Sequence, residues 1–210
     1  MRVAALYDIH GMPWALEAVL AEVDADAIVV GGDVFYGPCE EDAYTLVGSL
    51  AATFVRGNAD DNDPRTATLP LTAELDGVVY CHASPTDNTV ITTAATPDDE
   101  LVRVFGEQGT FVIGHTHHQF DRRVGELRVV NAGSVGMAYE GEVAAFWALV
   151  VDGDPQLRKT VFDVDEAVAR IRASGWPQAE EFVRENLLAA VPREEAIAHF
   201  EQRRRESSDR

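Results

Sequence analysis

Seven residues along the 210-residue chain have types and positions suited to chemistry: Asp8 and His10, Asp33, Asn58, His82, and His115 with His117. Each follows the end of a short apolar run. Carboxylate, amide and imidazole donors of this kind bind divalent metals such as Mn, Fe, Zn or Ni, and no thiolate pair is present for a structural zinc site. Seven ligands are more than one ion with an open position needs; they suit two ions sharing a carboxylate. Taken singly, each piece has an ordinary reading. An Asp-x-His pair often caps a turn, Gly57-Asn58 fits a hairpin turn, and a histidine beside an apolar strand is often a satisfied core residue. The ordered recurrence carries the weight, because four of the six histidines fall at such strand ends.

The elements that must position these residues are legible as alternating patterns. Val3 to Tyr7 reads as a buried strand stopped by Asp8, and Pro13 is placed to open a helix carrying Leu16, Val19, Leu20 and Val23. Ala27 to Val30 is a second strand, followed by a helix through Tyr44 to Leu50 and a third strand, Thr53 to Arg56. This rhythm predicts a parallel α/β layer. Further on, Val78 to Cys81 and Phe111 to Ile113 are strands that each lead into a histidine, with a helix from Pro97 to Gly106 between them. Phe120 to Phe162 reads as antiparallel strands: Leu127 to Val130, Val143 to Val151 and Leu157 to Phe162, with turns at Gly125-Glu126 and at Asp152 to Asp154. The expectation is one domain over residues 1–210. Its motif core spans 1–162, and a helical C-terminal segment, 163–210, ends in a frayed polar stretch from Arg203.

Composition narrows the classes. With 46% hydrophobic and 25% charged residues, the chain can build a core, which excludes disordered and fibrous classes. No run approaches a membrane span, and the N-terminal apolar run is too short for a secretory signal. Cys39 and Cys81 make no disulfide framework, so a reducing cytoplasm is expected. A net charge of −19 disfavours nucleic-acid partners but permits a small phosphorylated substrate, since a bound cation reverses the local sign.

The ordered set Asp8-Ile9-His10, Gly32-Asp33, Gly57-Asn58-Ala59-Asp60, His82 and Gly114-His115-Thr116-His117 resembles the signature of the calcineurin-like metallophosphoesterases. It looks most similar to the small bacterial and archaeal branch of YfcE-like phosphodiesterases. The resemblance implies a four-layer αββα sandwich with two mixed sheets. It also implies two divalent ions, manganese foremost and Fe, Zn, Ni or Mg compatible. Asp8, His10 and His117 would hold the first ion, Asn58, His82 and His115 the second, and Asp33 would bridge them. The implied reaction is in-line attack of a metal-bridging hydroxide on small phosphodiesters or nucleotides. Arg56 matches an arginine that binds the substrate phosphate in relatives.

Two positions depart from that pattern. Ala59 stands where many relatives carry a histidine taken as general acid, and Met12 replaces an asparagine. His118 is a candidate replacement acid, its plainer reading being a solvated loop histidine; Asp60 is expected to be structural. Asn131 to Gly136 reads as a glycine-rich turn or a phosphate cradle, and Tyr36 and Tyr139 as candidate walls of the cleft. The alternative function is a non-catalytic protein-binding scaffold on the same fold, as in a retromer subunit. The intact ligand set favours the enzyme. Assembly into a homo-oligomer is compatible with all of these readings.

Overall fold

The computed structural model describes residues 1–208; Asp209 and Arg210, the tip of the expected polar end, lie outside the described residues. In chain order the elements are β1 (Arg2–Leu6), α1 (Pro13–Glu22), β2 (Ala27–Val30), α2 (Glu40–Gly48), β3 (Ala52–Phe54), β4 (Thr72–Leu75), β5 (Val78–Cys81), α3 (Asp98–Phe105), β6 (Gln108–Ile113), β7 (Phe120–Val124), β8 (Glu126–Asn131), β9 (Ala145–Val151), β10 (Asp154–Thr160), α4 (Val164–Ala173), α5 (Ala179–Phe182), a π-helical turn (Val183–Leu187) and α6 (Arg193–Ser208). The strands form two five-stranded sheets, ordered β10-β9-β1-β2-β3 and β4-β5-β6-β8-β7. β1, β2 and β3 run parallel in the first sheet, as do β5, β6 and β8 in the second.

Strand alternation explains the layers. Val3, Ala5 and Tyr7 face the second sheet and pack with Val78, Tyr80, Val112, Ala132, Ala148 and Val150. Ala4 and Leu6 face the other way, onto Leu16, Val19, Val47, Ile171 and Phe182 from the helices. Across the second sheet, Cys81, Phe111, Ile113, Leu127 and Val129 receive Leu101 and Phe105 of α3. Both faces of each sheet are therefore covered, which is why the parallel strands read as nearly continuous apolar runs. Polar bonds also cross between the sheets: Tyr7 donates its hydroxyl to the Val112 carbonyl at 2.7 Å, and Arg128 of β8 donates to Asp154 and to the Pro155 carbonyl of β10.

Most expected elements stand, with shifted ends. The third strand stops at Phe54 and leaves Arg56 in the following loop, β9 starts at Ala145 rather than Val143, and β10 starts at Asp154 rather than Leu157. β4 was not anticipated. It pairs antiparallel with β5 through a turn at Asp76-Gly77, both in left-handed conformation with φ of 54° and 74°. The expected fraying from Arg203 is also corrected, because α6 continues to Ser208. Glu201, buried in that helix, accepts from Thr93 Oγ1 at 2.6 Å and Thr96 Oγ1 at 3.1 Å, while Arg204 holds its other oxygen at 2.7 Å and reaches Glu100. No helix is long and apolar enough to cross a membrane.

The Glu201 anchor makes a prediction. Glu201→Ala strands two buried hydroxyls and removes one of the carboxylates that Arg204 holds, and should cost about 2 kcal/mol. The urea midpoint should fall accordingly, and limited proteolysis should open the chain before α6. An unchanged midpoint and cleavage pattern would show that the helix is held by its apolar contacts alone.

Candidate metal centre

The parallel strands of both sheets end at one edge of the sandwich, and the seven residues arrive there from β1, β2, β3, β5 and β6. This is where α/β sheets bind ligands. The chain must turn sharply at each strand end. Five of the seven adopt left-handed backbone conformations: Asp8 (φ 54°), His10 (48°), Asp33 (53°), His115 (69°) and His117 (55°). Such geometry costs non-glycine residues of order 1–3 kcal/mol each and persists only where surroundings enforce it. Two glycines supply the room. A Cβ on Gly57 would lie 2.0 Å from Asp33 Oδ1, and one on Gly114 would lie 2.4 Å from Asp8 Oδ2.

The imidazoles are aimed by the backbone. The Nδ1 of His10, His82 and His117 lies 3.0, 3.0 and 2.8 Å from the carbonyls of Phe35, Gly31 and Met137. A carbonyl can only accept, so each Nδ1 carries the proton and each Nε2 presents a lone pair inward. Those lone pairs meet other acceptors. His10 Nε2 faces His117 Nε2 at 3.1 Å, and His82 Nε2 faces Asn58 Oδ1 at 3.1 Å. Asp8 Oδ1 is buried without a hydrogen-bond partner, 3.3 Å from His117 Nε2, 3.8 Å from His10 Nε2 and 3.9 Å from His82 Nε2. Asp33 Oδ2 stands 3.8 Å from His10 Nε2 and 3.5 Å from His82 Nε2, between the two halves.

Acceptors converging on acceptors, with an orphaned carboxylate oxygen among them, fit cations and fit little else. Asp8, His10 and His117 form one group able to hold an ion, and Asp8, Asp33 and His82 a second. Asn58 joins the second through His82, and the His115 ring lies 5.2 Å from that of His82. Asp8 is common to both groups, whereas Asp33 belongs to the second alone. The electrostatics agree. Burial by itself would raise the Asp8 carboxyl, but His117, His82 and His10 oppose that shift through the charge any of them carries on taking up a second proton, and keep it well below the usual carboxylate range. Burial pushes His115 down to about 4 and lowers His10, whose neighbour His117 acts in the same direction, so both present neutral imidazole.

A surrounding set of residues positions these groups. Asp60 accepts from the backbone N–H of Asp33 (2.8 Å), Gly57 (3.0 Å) and Val34 (3.1 Å), tying the β2 and β3 loops together. Ser134 Oγ donates to the Asp8 carbonyl at 2.8 Å, and Asn131 Nδ2 to the Gly114 carbonyl at 2.6 Å. Val135 and Gly136 spend their N–H groups on the carbonyls of Tyr7 and Asp8. The Asn131–Gly136 loop is thus a brace under Asp8, with those amides unavailable as a phosphate cradle. Ser134 and Asn131 were not singled out as site residues; the glycine-rich turn after a strand was the signal that marked them.

Two sequence candidates are placed differently. His118 is fully buried against Phe120 rather than solvated, with Nδ1 2.9 Å from the Thr116 carbonyl and Nε2 accepting weakly from Ala94 N–H at 3.4 Å. Burial pushes it down to about 4, and the structure does not bring it to the cluster. Arg56 turns toward its own loop, its Nε 3.1 Å from Asp61 Oδ1 and its Nη1 donating to the Ala67 carbonyl. Ala59 contributes its N–H to Asp33 Oδ1 at 2.8 Å. Tyr36 and Tyr139 do lie beside the cluster, with ring centroids 6.4 Å from His10 and 4.9 Å from His117.

Comparison with known proteins agrees with this geometry. The calcineurin-like phosphoesterase superfamily domain matches residues 1–154. A metallophosphoesterase from Sphaerobacter thermophilus superposes with a TM-score of 0.76 at 22% identity, covering 91% of this chain and all of that one. A hypothetical protein from Pyrococcus horikoshii gives 0.67 at 17% identity, covering 87% and 97%. The YfcE phosphoesterase of E. coli gives 0.53 at 21%, covering 78% and 100%. No curated protein sequence matches.

Opposed lone pairs should make the folded chain gain stability from divalent cations. With free Mn²⁺ a hundredfold above its Kd, each site adds about 2.7 kcal/mol, raising Tm by roughly 5–10 °C. Asp8→Asn should remove most of that rise. Elemental analysis of the loaded protein should find two ions per chain; a thermal scan indifferent to every divalent ion tried would contradict the assignment.

Proposed function

The chain belongs to the calcineurin-like phosphoesterase superfamily, and on that footing we propose that it is a dimetal-dependent phosphodiesterase acting on small phosphodiesters or nucleotides, with manganese the working metal and a reducing cytoplasm its setting. The observation that carries this is the inward convergence of buried Nε2 and carboxylate acceptors around the partnerless Asp8 Oδ1. A scaffold that works through protein contacts would gain nothing from five ligand residues in strained backbone geometry. The free thiols of Cys39 and Cys81 are consistent with the compartment.

Two divalent ions held there would supply Lewis-acid charge for the phosphoryl oxygens and lower the pKa of water. The chain's own residues do the rest. Asp8, His10 and His117 hold one side, and Asn58, His82 and His115 the other, with Asp33 between them. The carbonyls of Phe35, Gly31 and Met137 keep each Nδ1 protonated, so the donor direction of each ring is set before anything binds. Neither of the two positions considered for a general acid is poised to protonate the departing oxygen. Ala59 has no side-chain proton, and both ring nitrogens of His118 are engaged elsewhere.

Two expectations follow. Asp33→Asn and His82→Ala should abolish turnover while leaving the circular dichroism spectrum native, because both side chains lie at strand ends outside the apolar layers. Near wild-type rates with intact metal content would refute their roles. Separately, missing general-acid help typically costs 10²–10⁴-fold, or about 3–5 kcal/mol, when the leaving oxygen is basic. With Mn²⁺ supplied, kcat/KM should therefore fall steeply with leaving-group pKa across aryl and alkyl diesters. A flat series would reveal an acid in the site, and faster turnover of alkyl monoesters would overturn the diesterase reading.

A further inference from the structure

One wall of the cleft is built by residues beyond position 154, where the family match ends. Tyr139 stacks on the metal-group residue His117 with planes 27° apart, Phe200 of α6 lies 6.3 Å beyond Tyr139, and His199 stands 5.7 Å from Phe200. An aromatic row thus leads from the cluster to the last helix. Along it opens a cavity of about 450 Å³, within the range of small-molecule sites, lined by Tyr139, by Glu195, His199, Phe200 and Arg203 of α6, and by Glu185 of the π-helical turn. Met137 also borders it, and its carbonyl is the group that aims His117. The π-helical turn Val183–Leu187 brings Glu185 and Asn186 to this wall, and such turns are frequent at functional sites.

We infer that this cavity holds one organic substituent of the phosphoryl substrate, and that the substituent is an uncharged, polar, aromatic group of the nucleoside class. Tyr139 and Phe200 offer flat faces on which a base can stack. Arg203 has no carboxylate partner among the described residues and, with His199 and Asn186, offers donors to a base edge. Glu185 and Glu195 accept from sugar hydroxyls, and the same carboxylates repel a second phosphate, which argues against polyphosphate or lipid-phosphate substituents. The other ester substituent is the leaving group, so the inference is compatible with the missing general acid. It rests on the phosphoesterase reading for the word substrate, but binding of the nucleoside part does not require hydrolysis.

The test is calorimetric titration of adenosine into the full chain supplemented with Mg²⁺. Saturable binding is expected, and Phe200→Ala and Arg203→Ala should each weaken it about tenfold, the size of a lost base–aromatic contact. Inorganic phosphate, titrated into the same variants, should bind within twofold of wild type, because the metal groups are untouched. No adenosine binding, or equal binding by wild type and both variants, overturns the subsite whether or not the protein hydrolyses diesters. Normal adenosine binding without turnover of any diester would leave the subsite standing and remove the diesterase reading instead.

Discussion

Burying Asp8 with no hydrogen bond to one of its oxygens imposes the constraint around which this molecule is organised. A lone ionised carboxylate in an apolar interior is costly, and the ordinary remedy is to protonate it or pair it. Here neither happens. Three imidazoles surround the free oxygen, and each has its own proton committed to a backbone carbonyl on the far side of the ring. The other Asp8 oxygen accepts from His115 N–H at 2.9 Å, so even the satisfied half of the carboxylate binds one sheet's strand end to the other's.

The surrounding architecture keeps that arrangement from relaxing. Left-handed turns at five ligands would open in a free peptide; in the fold, Asp60 ties the β2 and β3 loops, and Ser134 and Asn131 tie the β1, β6 and β8 ends. These are hydrogen bonds to backbone groups, and they transfer rigidity from the packed sheets to side chains that are not themselves packed. Preorganisation of this kind lets a site accept a charged ligand without reorganising, which is where much of catalytic electrostatics originates.

The fold layers and the gathering of the candidate ligands at one sheet edge were readable from the chain because both rest on local signals: apolar runs ending in Asp or His, and helices bounded by Pro13 or by Pro97 and Gly106. What escaped depended on distance in space. β4 was missed although Asp76-Gly77 advertises a tight hairpin, because its strand is short and only partly buried. His118 reads as a loop residue next to a histidine motif, and nothing local shows that α6 and the Thr92–Thr96 segment would enclose it. Arg56 follows a motif that elsewhere faces phosphate, but its orientation is decided by Asp61 and Ala67, which sequence spacing alone does not place. The supporting roles of Asn131 and Ser134 were hidden for the same reason, since a polar residue in a glycine-rich turn has many ordinary explanations.

The Tyr7 hydroxyl that reaches Val112 lies one residue from Asp8 and bridges the two sheets. Around it the inter-sheet layer is filled by small side chains, Ala5, Ala132 and Ala148 among them. Since each group of candidate ligands is divided between the two sheets, the gap between sheets acts as a caliper for the spacing of the donor atoms. Larger residues in that layer would spread the caliper without touching a ligand. The reach across that donor set is in that sense a property of its alanines.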